Sequence, residues 1–120
     1  MNHVIRIGRI YSSDSDIHAY RVLVDRLWPR GMSKLRARLD VWAKDIAPTT
    51  ELRSWYGHDL ERYEGFRSRY IVELDSNPNA AAFREDCVKA LQDRDVLLLF
   101  AAKDASHSNA AVLVEWLERR

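Results

Sequence analysis

The sequence predicts a small α/β protein, a mainly parallel sheet flanked by helices, in a single domain over residues 1–120. Three observations predict it. Short apolar runs near the start, at residues 22–24 and at residues 96–102 alternate with stretches of helical periodicity. Val22-Leu23-Val24 and Val96-Leu97-Leu98-Leu99-Phe100 are apolar without alternation, which suits strands covered on both faces. The composition is 47% hydrophobic and 31% charged, with no repeat or biased segment, so the whole chain can share one core.

The elements follow in order. Val4-Ile5-Arg6-Ile7 and Ile10-Tyr11 read as a first strand with Gly8 as a bulge. Ser12 to His18 is a polar, mobile loop, and Tyr20 to Leu27 is the second strand. Trp28-Pro29-Arg30-Gly31 breaks the chain, because Pro29 lacks a donor and keeps Trp28 extended while Gly31 permits positive φ. Ser33 caps a short helical turn through Arg38. Leu39 to Ile46 fits a strand through Leu39, Val41 and Ala43, or a helix through Leu39, Trp42, Ala43 and Ile46; the strand is preferred. Thr49 or Thr50 caps the next helix, whose face is Leu52, Trp55 and Tyr56 and whose stop is Gly57. Tyr63, Phe66, Tyr70, Ile71 and Leu74 mark a longer helix from Leu60 to Asp75. Asn77-Pro78 restarts the chain as cap and first helical residue, and Phe83, Cys87, Ala90 and Leu91 form the next buried stripe. Val96 to Ala102 is the central strand, Lys103 to Asn109 a polar loop, and Ala110 to Arg119 the closing helix.

Composition also excludes classes of function. A net charge of +1 argues against bulk attraction to nucleic acid, leaving only a local basic patch for that role. A lone Cys87 permits neither an intramolecular disulfide nor a cysteine-based zinc site. The first residues have no signal-peptide layout, and no apolar run approaches the roughly 20 residues that span a bilayer. A cytoplasmic protein with no membrane partner is the expectation.

Ligands of parallel sheets bind beyond the carboxyl ends of the strands. Two segments lie there: Asp25 to Gly31, and Lys103 to Asn109. The second leads into a helix N-terminus, where free N–H groups favour anions. Arg26, Arg30 and Lys103 are therefore candidates to hold a small anionic ligand, with Ser106 or Ser108 donating a hydroxyl or merely capping the helix. Asp25 orients a cation or belongs to a structural ion pair. Trp28 walls a pocket or plugs the core. His107, and His58 after Gly57, are the proton-transfer candidates, against the plain alternative of surface histidines. His58, His107 and Asp104 lack metal-ligand spacing, so no metal is expected, and no glycine-rich phosphate loop or nucleotide-binding fingerprint is present, which leaves any cofactor unknown. Cys87 reads as a core residue.

Y-R-V-L-V-D-R-L-W-P-R-G at Tyr20 to Gly31 closely resembles the hallmark of the YeaO-like proteins, bacterial domains of unknown function (domain of unknown function 488). The resemblance continues through W-A-K-D-I-A-P-T-T-E-L-R at Trp42 to Arg53, Gly57-His58, Phe66, Tyr70, L-L-L-F-A-A-K-D at Leu97 to Asp104, and Asn109-Ala110. It implies a small cytoplasmic α/β domain and favours an extended Leu39 to Ile46. Arg21, Asp25, Arg26, Trp28, Arg30, Asp45, Pro48, His58, Lys103, Asp104 and Asn109 match its pattern as candidates. More distant relatives carry cysteine, histidine and arginine after the last strand; here that stretch is Ser106-His107-Ser108-Asn109, so thiol chemistry does not transfer.

Three functions remain in play. The leading one is binding of a small anion, with or without catalysis. The second is a nucleic-acid accessory module using Arg21, Arg26, Arg30, Lys34, Arg36 and Arg38, with Trp28 for stacking. The third is a structural or interaction domain, suggested by the surplus of Trp42, Trp55, Tyr56 and Trp116.

Overall fold

A computed structural model describes residues 2–12 and 16–119. It holds four parallel strands in the order β1-β4-β2-β3. These are β1 (Ile5–Arg9), β2 (Tyr20–Leu23), β3 (Val41–Trp42) and β4 (Val96–Phe100). The helices are α1 (Lys34–Ala37), α2 (Thr50–Tyr56), α3 (Tyr63–Ser76), α4 (Pro78–Ala90) and α5 (Asn109–Glu118). The fully apolar β4 lies between β1 and β2, as its lack of alternation predicts.

Side chains alternate across the sheet. On one face Val22, Val96, Leu98 and Phe100 meet Phe66, Tyr70, Phe83 and Leu113 from α3, α4 and α5. On the other, Leu97 and Leu99 meet Ile10, Ala19, Met32 and Ala37, with α1 as the helix there. Arg21 also lies in the interior, 1% exposed, and donates to the carbonyls of Asp16 (3.0 Å), Ala37 (3.0 Å) and Arg38 (3.2 Å).

Most elements arise from the local signals named above. Ser33 accepts from Arg36 N, Thr49 from Leu52 N and Asn77 from Asn79 N, and Gly57 closes α2 at φ +51°. Other expectations need correction. Gly8 is no bulge: it sits in register opposite Leu99. β2 ends at Leu23 and β4 at Phe100, both earlier than the apolar runs suggest, because the two strands part there. Leu39 to Ile46 contributes only the two-residue β3 followed by a 3-10 turn at Lys44–Ile46, which resolves its mixed periodicity. Leu60–Arg62 is likewise a 3-10 turn before α3. The centre of the polar loop after β1, residues 13–15, lies outside the described residues.

Candidate functional site

All four strands run the same way, so their carboxyl ends share one edge of the sheet. β2 and β4 then leave in opposite directions. The chain after β2 leads to α1 on the thin face, and the chain after β4 leads to α5 on the thick face. A crevice at such a switch of direction is where open α/β sheets hold ligands. Here it is a cavity of about 600 Å³, lined from both loops and from the end of α2.

The split is held open by side chains. Val24 N donates to Leu99 O at 3.0 Å, after which the backbone ladder stops. Asp25 replaces it: Oδ2 accepts from Ala101 N (2.9 Å) and Oδ1 from Asn109 Nδ2 (3.1 Å). The same Asn109 amide donates to Val24 O at 2.9 Å. Burial raises the Asp25 carboxyl above its ordinary value, opposed by the Ala101 N–H, Asn109, and the nearby Arg53 and His58 side chains.

The first predicted loop is well anchored. Arg26 donates through Nε to Pro48 O (3.1 Å) and through Nη2 to Ala47 O (3.0 Å), and it still lines the cavity. Trp28 donates to Met32 O (2.6 Å) and meets Trp42 edge-on, with centroids 5.3 Å apart. Trp42 donates in turn to Asp25 O at 2.8 Å. Arg30 is exposed, and its carbonyl accepts from the Tyr11 hydroxyl at 2.8 Å. Gly31 has φ +76° with open space around its Cβ position, so the backbone angle alone demands glycine there.

The second loop divides. His107, Ser108 and Asn109 line the cavity; Lys103, Asp104 and Ser106 are exposed outside its lining. Asp104 caps the 3-10 turn Ala105–His107, accepting from Ser106 N (3.1 Å) and pairing with His107 Nδ1 at 2.8 Å. That histidine holds the Asp104 carboxyl below the usual range. Ser108, not Ser106, caps α5: its hydroxyl accepts from Ala111 N (3.2 Å) and donates to Ala105 O (2.8 Å).

A third wall comes from α2 and its end, where the sequence singles out only His58 for the site. Arg53, Ser54, Tyr56, Gly57 and His58 all line the cavity. Gly57 and His58 are consecutive left-handed residues, at φ +51° and +59°, and they fold the chain back over the crevice. The Tyr56 hydroxyl donates to His107 O (2.8 Å), tying α2 to the second loop. Arg53 lies in the last turn of α2, one turn before Gly57, and reaches the rim only through the way α2 docks, which no local pattern marks.

The cavity lining carries Arg26, Arg30 and Arg53 against the single carboxylate of Asp25, a net charge of +2 with the histidines neutral. Among the described residues no cluster suits a metal ion, and no helix is long and apolar enough to cross a membrane. Cys87 is buried on the inward face of α4, away from this cavity, where burial pushes its thiol up to about 12. The proposed basic strip loses Arg21, which is buried, while Lys34, Arg36 and Arg38 remain exposed. The aromatic surplus is mostly internal: Tyr56 and Trp116 are buried, and Trp42 and Trp55 half-buried.

The model of a family described as the inactive DUF488-N3 subclade matches residues 4–120. The uncharacterized protein Rv3073c of Mycobacterium tuberculosis is 39% identical over 117 residues, 97% of this chain and 95% of its own. The uncharacterized protein YeaO of Escherichia coli is 37% identical over 113 residues, 94% of this chain and 96% of its own. No solved structure matches significantly.

Proposed function

The chain belongs to the inactive DUF488-N3 subclade, and from that premise we propose that it binds a small anionic ligand in the crevice between β2 and β4 without transforming it. The carrying observation is the charge of the cavity: three arginines and two histidines surround one carboxylate that is already engaged by Ala101 N and Asn109. Arg26 is fixed by two backbone carbonyls, so its guanidinium loses little freedom on meeting an anion. Arg53 and Arg30 add charge from α2 and the first loop.

Binding is favoured over catalysis because, among the described residues, neither lining serine hydroxyl, Ser54 or Ser108, has a side-chain base bonded to it. The Ser108 hydroxyl is spent on the cap, and Cys87 lies elsewhere. The subclade's description as inactive agrees with this reading. A cytoplasmic setting suits a chain whose one cysteine is a buried free thiol.

An amide NMR titration with inorganic phosphate and sulfate tests it. Saturable shifts confined to Arg26–Gly31, Arg53–His58 and Ala101–Asn109 are expected, and Arg53→Ala should weaken phosphate binding about tenfold with the fold intact. Absence of saturable shifts at these segments overturns the proposal.

A further inference from the structure

An anion alone does not account for this crevice. At about 600 Å³ it matches sites for organic molecules, which run from about 300 to 1,000 Å³, and a bare oxyanion would leave most of it empty. The ligand therefore has a body, and the lining indicates its chemistry. Trp28 and Tyr11, both half-buried in the lining, offer aromatic surface to an apolar face. Asp25 asks for something different. An ionised carboxylate has about four acceptor positions, and Asp25 uses one on Ala101 N and one on Asn109 Nδ2. It lines the cavity and forms no ion pair among the described residues, although Arg26, Arg30 and Arg53 line the same space. A second anionic group near Asp25 would be repelled; a hydrogen-bond donor there would find unspent acceptors.

Resting on the anion-site reading above, we propose that the crevice selects a sugar phosphate, whose phosphate meets the arginines while its hydroxyl groups donate to the spare acceptor positions of Asp25. Asp25 is then the residue that separates a sugar phosphate from inorganic phosphate. It is fixed for this task, because Ala101 N and the Asn109 amide hold both of its oxygens in place. Asn109 is in turn fixed by Val24 O.

Calorimetric titration of the full chain with ribose 5-phosphate and with inorganic phosphate tests the assignment, using wild type and Asp25→Asn. Wild type should bind ribose 5-phosphate at least about tenfold more tightly than phosphate, the worth of one hydrogen bond to a charged acceptor. Asp25→Asn, which keeps an acceptor for Ala101 N, removes the one carboxylate opposing the arginines, so it should bind phosphate at least as tightly as wild type does while the ratio of the two affinities loses most of the preference. If wild type prefers neither, or Asp25→Asn leaves the ratio unchanged, this inference fails and the anion site stands. If wild type binds neither probe, both fail together. Should Asp25→Asn not fold, n-pentyl phosphate on wild type replaces it: the same number of carbons without hydroxyls should bind about tenfold more weakly than ribose 5-phosphate, and equal or tighter binding overturns the assignment.

Discussion

The two faces of the sheet are closed by different chemistry. The thick face is covered by α2, α3, α4 and α5, and its contacts are almost all apolar, from Leu98 and Phe100 out to Phe66 and Leu113. The thin face has the single turn of α1 and a few loop residues. There the long side chain of Arg21 fills buried space, and its guanidinium joins the carbonyls of Asp16, Ala37 and Arg38. A planar fork of donors satisfies the loose carbonyl end of α1, where too few residues are present to bury a helix face. The crevice opens along the line where these two layers part, so one wall rests on packed helices and the other on a loop held by polar contacts.

The largest test of this contrast uses two neighbours on β4 that point to opposite faces, Leu98 and Leu99, both fully buried. Leu98→Ala leaves a hole among side chains held by four helices, and should cost about 3–5 kcal/mol. Leu99→Ala should cost about 2–3 kcal/mol, because the thin layer can collapse onto the gap. Urea unfolding of the two variants reads the difference. Equal losses, or a larger loss for Leu99→Ala, would mean that the faces are equally rigid.

Arg21→Met gives the next effect. Methionine keeps most of the apolar stem but removes the donors, leaving the carbonyls of Asp16, Ala37 and Arg38 without their partner. About 2–3 kcal/mol should be lost. Arg21→Lys should recover little, since one ammonium cannot copy the fork. A loss below about 0.5 kcal/mol for Arg21→Met would show that packing alone holds the thin face.

Arg21 also shows what the sequence could and could not reveal. Local signals read correctly: the caps at Ser33, Thr49 and Asn77, the stop at Gly57, and the unbroken apolar run of β4 depend on neighbours within a turn or on simple burial. An arginine inside a strand carries no such mark, and Arg21 read as one member of a surface strip. The end of the second strand was equally hidden, because it is set by Asp25 and Asn109, 84 residues apart. Of the candidate site residues, Asp25, Arg26, Trp28, Arg30, His58, His107 and Asn109 meet at the cavity, since the polar segments that follow an apolar run lie near the carboxyl edge of the sheet even when the last residue of the strand is misjudged. Lys103, Asp104 and Ser106 do not, because a 3-10 turn folds back after β4. Arg53 went unnoticed since its place at the rim depends on where α2 docks.

The smallest expected effect sits on the boundary between the faces. Burial raises the Asp25 carboxyl in the folded state above the 3.8 of an unperturbed aspartate. The folded chain therefore holds this proton more tightly than the unfolded chain does. The stability this contributes is fully present below about pH 3.8 and is lost as pH rises through the raised folded value. Other carboxyls run the opposite way, since Asp16 beside Arg6 and Glu115 beside Arg67 are lowered by their partners, so the slope of the wild type alone mixes both signs. Asp25→Asn separates them. Its lost acceptor is a pH-independent cost, while the distant ion pairs are common to both proteins. The unfolding free energy of wild type minus that of Asp25→Asn should fall as pH rises from 4 and then level off. The change should be modest, because Ala101 N, Asn109, Arg53 and His58 all offset the burial. A difference that rises with pH would mean that the arginines, rather than the closing of the crevice floor, dominate the field at Asp25, and the cavity would then be a charge-balanced joint between the two faces instead of a cationic site.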